Sequence, residues 1–492
     1  MPNDQTPSSH DMNQPIPKIG LVRGRSILVI ALLLVGDILS LILAFAFATQ
    51  IRRALIPWIG GVINWEIFFP LLQLNLLSVL ITHTLTGLYP GFGKTAVEEM
   101  QQIFSSITLG YGLLGLAVYL QKAGPNFPRS VFIMGWVCAC LFNLVARLII
   151  RNRASLFPWW GIPGVIIGPG DESKDVIVRL LHSRRMGLRP VLLIDETATI
   201  SESHMLGIPV IHSWETLQQI ITSQRIMFAV LVESLNESRS ILRQRLQLAS
   251  KLFQTVLVVM EDSPLGSLWV RTMDLEGRLA LQTSYHLLDK NSIILKRIFD
   301  LILGFIGVLV SLPLLLIIAA LIKLESPGPV FYRQERLGLR GKTIQYLKFR
   351  TMRIGAEQEL EALLTKSTSA RQEYEKHHKL KNDPRVTRVG RFLRKFSFDE
   401  LPQIWHVLQG EMSLVGPRAY MTGEIKDIGD YAPLILQVRP GITGWWQVMG
   451  RHATTFQRRL QLDEYYISNW SIWLDIYILL KTVWVLMSGV GA

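Results

Sequence analysis

Four long apolar stretches in the amino-terminal third of the chain constrain the fold most strongly. A helix needs about 20 apolar residues to cross the hydrocarbon core of a bilayer, and each stretch is long enough or nearly so. The segments between them are short. We therefore predict an α-helical membrane bundle over residues 25–153, after a polar and disordered tail at residues 1–24. The stretches are Ile27–Thr49, Ile67–Leu88, Ile103–Leu120 and Val131–Ile150.

Basic residues at the two ends of this region predict its orientation. Arg25 precedes the first stretch, and Arg151 and Arg153 end the fourth. The positive-inside rule places both flanks in the cytoplasm, and four crossings satisfy that parity. Arg52 and Arg53, which follow the first stretch, oppose this orientation. We keep it because the two ends agree, so the tail is expected to be cytoplasmic.

Asp37 lies inside the first apolar stretch. A carboxyl at that depth is either an ion or proton site, or a group hydrogen-bonded within the bundle. The sequence offers no evident intramembrane partner of opposite charge. We therefore favour the hydrogen-bonded carboxyl, and the role of Asp37 stays open.

The chain changes character after Trp160, where short apolar runs alternate with amphipathic segments. This alternation predicts a parallel α/β sheet, and we expect a Rossmann-like cytoplasmic domain over residues 154–285. The turn Gly168-Pro169-Gly170 lacks the full G-x-G-x-x-G pattern, which favours a structural or regulatory role over dinucleotide binding. The runs are Gly164–Gly168, Pro190–Ile194, Ile208–Ile211, Ile226–Val232 and Thr255–Met260.

A fifth apolar stretch, Leu301–Ile322, has basic flanks and contains Pro313. It is preceded by Lys296, Arg297 and Asp300. As an ordinary span it would place a basic carboxy-terminal region outside, against the positive-inside rule. A helix over residues 296–323 that bends at Pro313 can instead enter and leave by one face, with its basic flanks at lipid phosphates. From the residues alone, the re-entrant helix and the kinked span stay equally open.

The net charge of +13 indicates an anionic partner: nucleic acid, lipid or a phosphorylated small molecule. We predict no nucleic-acid binding, because no motif for it accompanies the cations. Beyond Ser326, five cations come from separate segments, and arginine forks match phosphate oxygens well. Any one of them alone could be solvated or ion-paired. They are Lys348, Arg350, Arg394, Arg418 and Arg439.

An adjacent acidic pair, Asp399-Glu400, lies among these cations. Neighbouring positions on a helix diverge by about 100 degrees, so the two carboxylates can have different roles. One can attack phosphorus and form an acyl phosphate, while the other binds Mg²⁺. The alternative, equally open from composition, is an acidic pair in the first turn of a helix.

At these motifs residues 296–492 resemble the monotopic phosphoglycosyl transferases, also called bacterial sugar transferases. The order of membrane helices, Rossmann-like module and catalytic domain is similar to the undecaprenyl-phosphate galactose phosphotransferase subgroup. The motifs are Gln334-Glu335-Arg336, Lys348-Phe349-Arg350, Asp383-Pro384-Arg385, Phe398-Asp399-Glu400-Leu401-Pro402-Gln403, Gly416-Pro417-Arg418 and Arg439-Pro440-Gly441.

The resemblance implies a ping-pong reaction that moves hexose-1-phosphate from a UDP-sugar to undecaprenyl phosphate. Asp399 matches the family nucleophile and Glu400 the Mg²⁺-binding carboxylate. Arg394, Arg418 and Arg439 match its phosphate-binding arginines, and Lys348 with Arg350 match its basic strand motif, so all five are expected to bind substrate. Galactose is the expected sugar. Glucose, or a non-catalytic scaffold of polysaccharide assembly, is the alternative.

The resemblance also implies the architecture around that chemistry. It predicts an α-rich monotopic catalytic domain over residues 291–492, whose re-entrant helix breaks at Pro313. Lys296, Arg297 and Asp300 then lie at the membrane surface. The bacterial inner membrane, with a catalytic domain that faces the cytoplasm, and a homodimer are further expectations from the resemblance.

Overall fold

The computed structural model describes two compact units, Met1–Ser263 and Pro264–Ala492, and we describe each by itself. The predicted tail at residues 1–24 lies almost wholly outside the described residues. The described residues are 23–60, 65–120, 129–196, 204–224, 226, 228–234, 238–260, 270–275, 278–283, 286–366, 371, 383–449 and 455–487.

Helices form where the four amino-terminal apolar stretches were predicted, with α1 packed on α4 and α2 on α3. Gly110 of α3 permits the close approach to α2, since a Cβ there would lie 2.8 Å from Val79 Cγ2. By length and composition α1, α3 and α4 could cross a membrane, whereas the described apolar part of α2, Leu72–Leu85, is shorter. The bounds are α1 Arg23–Ile59, α2 Trp65–Leu85, α3 Ala96–Leu120 and α4 Arg129–Ala154.

Asp37 is fully buried in the bundle and is hydrogen-bonded, as predicted. Its Oδ1 accepts from Arg147 Nε at 2.9 Å and from Asn143 Nδ2 at 3.0 Å, and Tyr89 donates to its other oxygen. The expectation that no opposite charge is within reach was wrong. Arg147, seven residues before the end of α4, is directed inward because a buried carboxylate and a buried guanidinium stabilise each other.

The second part of this unit is a six-stranded sheet in the order β3-β4-β2-β1-β5-β6. All five predicted strands form and pair in parallel, and the short β3 joins β4 antiparallel. Apolar side chains cover both faces, which explains why these strands read as continuous apolar runs. The strands are β1 Ile162–Ile167, β2 Leu188–Ile194, β3 His204–Met205, β4 Ile208–Ile211, β5 Phe228–Val232 and β6 Thr255–Val259. The helices between them are α5 Gly170–His182, α6 Trp214–Gln224 and α7 Arg239–Leu252.

The carboxy-terminal unit begins with the hairpin of β7 (Val270–Leu275) and β8 (Arg278–Thr283), followed by α8. Helix α8 spans Lys290–Glu325, with Pro313 inside it, and is long and apolar enough to cross a membrane. Its amino-terminal end is capped by Asp289, whose side chain accepts from Ser292 N at 3.1 Å. Most of its large apolar side chains are exposed.

Short elements pack around α8 and complete a mostly helical unit. Two small sheets, β9 with β10 and β11 with β12, lie among them. The strands are β9 Phe331–Leu337, β10 Thr343–Phe349, β11 Ser413–Val415 and β12 Gly441–Thr443. The helices are α9 Ala356–Lys366, α10 Arg388–Lys395, α11 Ile404–Gln409, α12 Ile425–Ile428, α13 Ala432–Ile435, α14 Trp445–Met449, α15 Phe456–Ser468 and α16 Ile472–Met487.

Candidate active site

The acidic pair lies on a short 3₁₀ helix, Phe398–Gln403, between α10 and α11. Ser397 precedes it with φ +56°, a left-handed conformation that non-glycine residues seldom adopt. Such backbone persists only where its surroundings fix it, and it is found often at functional sites. The turn places Asp399 and Glu400 opposite the end of β10.

Lys348 of β10 joins the two carboxylates. Its Nζ lies 2.7 Å from Glu400 Oε1 and 3.9 Å from Asp399 Oδ2. One ammonium group thus offsets the repulsion between two adjacent carboxylates in a partly buried site. Because the closer bond goes to Glu400, Asp399 keeps oxygens that are not hydrogen-bonded to Lys348.

Asp399 is the more buried of the two carboxylates, with 13% of its side chain exposed against 27% for Glu400. Burial raises the pKa of Asp399, and the neighbouring Glu400 acts in the same direction. Lys348 and Arg394 oppose that shift. The arrangement yields a carboxylate that is poorly hydrated but still compensated by cations, which favours a nucleophile.

Arg394 is brought to this site by a close contact between α10 and the chain after β10. A Cβ on Gly390 would lie 2.1 Å from Thr351 O, so only glycine lets α10 approach this closely. Arg394 Nε donates to Thr351 Oγ1 at 3.0 Å. Burial lowers the pKa of Arg394, while the electrostatic interaction with Asp399 raises it.

Two further side chains, His406 of α11 and Tyr346 of β10, stabilise the elements on either side of the acidic turn. His406 of α11 accepts from Leu347 N at 3.2 Å through Nε2, and its Nδ1 lies 2.6 Å from Glu411 Oε2. These bonds tie α11 to β10, so His406 has a structural, hydrogen-bonding role. Tyr346 is buried beside Glu400, with the Lys348 ammonium 5.5 Å from the centre of its ring.

Arg418 lies in the turn that follows β11 and interacts electrostatically with Arg336 and Tyr346. Its backbone N donates to Asp463 Oδ2 at 3.1 Å, and its guanidinium lies 5.3 Å from the centre of the Trp446 ring. Arg459 of α15 lies 4.8 Å from the same ring. Two cations therefore share one indole, close to the acidic pair.

The donor atoms at this site suit a divalent cation that is shared with a phosphorylated ligand. Mg²⁺ is usually held by one or two carboxylates together with substrate phosphates rather than by an all-protein cage. Across the described ranges there is no cluster of three acidic, histidine or cysteine side chains. The pair Asp399-Glu400 fits the first arrangement, with Glu400 as the more exposed ligand.

Comparison with known families and proteins shows which family the chain belongs to. A family model described as "Bacterial sugar transferase" matches residues 291–489, and one described as "CoA-binding domain" matches residues 84–259. An uncharacterized sugar transferase of Haemophilus influenzae is 32% identical over 80% of this chain and 83% of its own length. The chain belongs to the bacterial sugar transferase family.

Two further relatives of this sugar transferase are named by their reactions. The undecaprenyl-phosphate galactose phosphotransferase of Salmonella typhimurium is 31% identical over 80% of this chain and 82% of its own. The UDP-glucose:undecaprenyl-phosphate glucose-1-phosphate transferase of Escherichia coli is 40% identical, over 39% of each chain. The apolar helices and these relatives indicate that the sugar transferase is a membrane protein.

Arg350, one of the five predicted phosphate-binding cations, is used inside the protein. Its two terminal nitrogens donate to Pro327 O and Ser326 O, each at 2.8 Å, and one also donates to Ser326 Oγ. A Cβ on Gly328 would lie 2.2 Å from its guanidinium. Arg350 thus holds the turn after α8. It lies two positions after Lys348, but its hydrogen bonds go to this turn.

Arg439 lies at the other end of α11 from the acidic pair. Its Nε donates to Gly410 O at 2.8 Å, while Arg297 of α8 donates to Val407 O and Leu408 O at 2.6 and 3.0 Å. Both arginines therefore cap the carboxy-terminal end of α11, where unpaired carbonyls attract cations.

Of the five predicted cations, the structure brings Lys348 and Arg394 to the acidic pair and Arg418 close by.

The basic flank of α8, expected at lipid phosphates, is directed into the protein. Lys296 is buried and lies 3.1 Å from Asp300 Oδ1 and 2.8 Å from Asp475 Oδ2. Asp300 also accepts from Ser413 Oγ at 2.7 Å and Leu414 N at 3.2 Å. These bonds fasten the start of α8 to β11 and α16.

Sequence reasoning missed Tyr346, Trp446, Arg459 and Asp463 as neighbours of the site. Tyr346 had a usable signal, because it lies two positions before Lys348 on a strand and so on the same face. The other three come from α14 and α15, distant along the chain, and nothing local in the sequence pairs them with Asp399.

Proposed function

We propose that this sugar transferase moves hexose-1-phosphate from a UDP-sugar to undecaprenyl phosphate through a phospho-Asp399 intermediate. The supporting observation is the pairing of Asp399 and Glu400 through one ammonium, Lys348 Nζ, at 3.9 and 2.7 Å. A scaffold protein needs no such cluster of partly buried, mutually compensating charges. The names of the relatives supply the substrate class.

In the first step an oxygen of Asp399 attacks the β-phosphorus of the donor. The bond from that phosphorus to the bridging oxygen breaks, and its electron pair leaves with UMP. Arg394 and Lys348 neutralise charge on the transferred phosphoryl group. In the second step a phosphate oxygen of undecaprenyl phosphate attacks the same phosphorus, and Asp399 returns to a carboxylate.

Mg²⁺ is part of this proposal, with Glu400 as its protein ligand and Asp399 beside it. When bound it would draw charge from the diphosphate and the leaving group. Lys348 then has a second role, because its ammonium holds Glu400 in place through a 2.7 Å hydrogen bond.

Galactose is the proposed sugar. The relative named for galactose aligns over 82% of its length, whereas the one named for glucose aligns over 39% of its own. Glucose stays the second candidate, because that shorter alignment reaches 40% identity. A donor screen with UDP-galactose, UDP-glucose and their N-acetyl relatives, read by UMP release, separates the two.

We propose that α8 is a re-entrant membrane helix. Its start, at Lys296 and Arg297, is bonded to Asp475 and α11, and its end packs against the elements around the acidic pair. Ile318 and Ile322 contact Phe349 and Leu393 there. Both ends thus attach to one compact unit, while the side chains exposed between them are apolar, as a helix that returns to the same membrane face requires.

The same arrangement supports our proposed domain plan. Residues 25–153 form the membrane bundle, residues 154–285 a Rossmann-like module with a structural or regulatory role, and residues 291–492 the catalytic domain. In the inner membrane this catalytic domain would face the cytoplasm, where UDP-sugars are made. We expect tags at Asn291 and at the carboxy-terminus both to report the cytoplasm, and opposite sides would refute the re-entrant helix.

The decisive experiment tests the nucleophile. Purified protein is incubated with donor alone, and intact-protein mass spectrometry measures a hexose-phosphate adduct. We expect an adduct on the wild type and on Asp430→Asn, an exposed carboxylate of the same unit, and none on Asp399→Asn. Radiolabelled transfer to lipid should follow the same pattern. An adduct on Asp399→Asn, or full transfer by it, would overturn the assignment.

A further inference from the structure

Three arginines near the acidic pair form no salt bridge with a described residue, although Glu400, Glu424 and Asp463 attract them at longer range. Arg336 of β9, Arg418 and Arg459 each leave a buried Nε without a hydrogen-bond acceptor among the described residues. We call these three, together with Trp446, the arginine cluster. The described part of the chain supplies no ion pair to any of the three guanidinium groups.

The arginines also repel one another. Burial lowers the pKa of Arg336 and of Arg459, and in both cases the neighbouring Arg418 lowers it further. The terminal nitrogens of Arg336 donate to Ala419 O at 3.1 Å and to Gln334 Oε1 at 3.0 Å, so its Nε is the atom left without an acceptor. Guanidinium groups that are gathered at a cost in stability form a site prepared for an anion. Arginine forks bind a phosphate through two parallel hydrogen bonds, which suits the free Nε atoms.

Asp463 lies beside the cluster and interacts electrostatically with Arg418 and Arg459. It is fully buried, and its Oδ2 accepts from Tyr420 OH at 2.8 Å and from Arg418 N at 3.1 Å. Its other oxygen has no partner among the described residues. Asp463 therefore fixes the backbone of Arg418, while the guanidinium of Arg418 remains stacked on Trp446.

Arg336 connects the cluster to the acidic pair. Its guanidinium lies 5.6 Å from the centre of the Tyr346 ring, and the Lys348 ammonium lies 5.5 Å from the same centre. Arg336 also interacts electrostatically with Glu400, whereas Arg394 interacts with Asp399 and Asp383. The site thus has two cationic parts, one that interacts with Glu400 and one that interacts with Asp399.

Two cationic parts match the two phosphate positions of an in-line displacement. The transferred phosphoryl group must lie on Asp399, and the leaving phosphate must lie opposite the attacking oxygen. In the second step the attacking acceptor must approach the phosphorus from the side that the leaving phosphate vacated. One subsite therefore serves both phosphate monoesters in turn.

We infer that the arginine cluster is this shared subsite, which holds the phosphate of the departing UMP and then the phosphate of the attacking polyprenyl phosphate. The inference rests on the proposed function. In the first step the cluster neutralises the charge that UMP gains when the bond to the transferred phosphorus breaks. In the second step it orients the acceptor oxygen toward that phosphorus.

Arg459→Ala is the test, because no described hydrogen bond depends on the Arg459 guanidinium. The matched control is Arg458→Ala, the adjacent and exposed arginine, which bonds to Gln461. UMP binding is measured by calorimetry on full-length protein, with uridine as the probe that lacks phosphate. Transfer to undecaprenyl phosphate is timed separately, from phospho-enzyme made with donor and freed of nucleotide.

We expect Arg459→Ala to weaken UMP binding at least about tenfold, the loss typical of one charge-assisted hydrogen bond, and to leave uridine binding unchanged. We expect the second step to slow by a similar factor, and Arg459→Lys to recover part of both. Arg458→Ala should change neither. The inference is overturned if Arg459→Ala alters only one of the two measurements, or neither. UMP binding by a protein that forms no phospho-enzyme would instead refute the proposed function.

Discussion

Replacement of Lys296 by methionine tests how α8 is fastened to its unit. The Lys296 ammonium is shared by two buried carboxylates, Asp300 with 3% and Asp475 with none of its side chain exposed. Methionine keeps the volume and the unbranched shape but removes the charge. Asp475 would keep its bonds from Tyr466 OH at 2.8 Å and Trp470 Nε1 at 3.2 Å, without a compensating cation.

The magnitude follows from this burial. Removal of one partner from a buried ion pair costs about 3–5 kcal/mol, because the other charge stays desolvated and unpaired. For a unit of about 200 residues, each kcal/mol lowers the melting temperature by about 2–4 °C. We therefore expect Lys296→Met to melt about 6–20 °C below the wild type. Lys290→Met, an exposed lysine of the same helix, is the control and should melt with the wild type.

The measurement is tryptophan fluorescence during heating, in nanodiscs, at pH 5.5 and pH 8.5. Burial raises the pKa of Asp475, and the attraction of Lys296 opposes that rise. Without Lys296 the folded-state pKa rises further above the unfolded one, so stability is lost as the pH increases. The melting temperature of Lys296→Met should therefore lie further below that of the wild type at pH 8.5 than at pH 5.5. A melting temperature within 2 °C of wild type, or a deficit independent of pH, would refute the buried triad.

Three further predictions concern other buried polar groups. Arg147→Met should lower stability by about 3–5 kcal/mol, seen as a lower melting temperature, because Arg147 pairs with buried carboxylates in the bundle. Arg350→Ala should also lower the melting temperature, while calorimetry shows UMP affinity within about twofold of wild type, since its bonds go to the turn after α8. Burial raises the pKa of Asp463 to about 7, so the melting temperature of the wild type should fall between pH 5 and pH 8, and that of Asp463→Asn should fall less. Loss of UMP binding in Arg350→Ala would contradict the second of these predictions. A melting temperature that falls equally with pH in Asp463→Asn and wild type would contradict the third.

The parts of the fold predicted from sequence are those with a strong local period. Apolar length identified α8 and the helices of the bundle, and short apolar runs identified every parallel strand of the sheet. The family motifs located Lys348, Asp399 and Glu400. In the structure the Lys348 ammonium lies 3.9 Å from a carboxylate oxygen of Asp399 and 2.7 Å from one of Glu400. Local signals suffice for these features because each lies within one element or one motif.

Long-range pairings were not accessible in the same way. The Arg147–Asp37 pair joins residues from two helices, and no period in either helix specifies the other. Arg350 and Arg439 belong to motifs that the family resemblance assigns to substrate binding, yet their hydrogen bonds hold a turn and a helix end. A cationic residue in a motif therefore has two possible uses, and only its acceptors distinguish them.

Helix α8 shows both a local sequence signal, its apolar length, and long-range contacts that the sequence does not reveal. Its apolar length predicts contact with lipid, and its few polar residues fix where that contact can occur. Arg297 caps α11, and α11 follows directly after the turn that contains Asp399. At the other end, Ile322 packs with Phe349, the residue after Lys348. Any displacement of α8 would therefore act on both Asp399 and Lys348, because its two ends contact the elements that carry them.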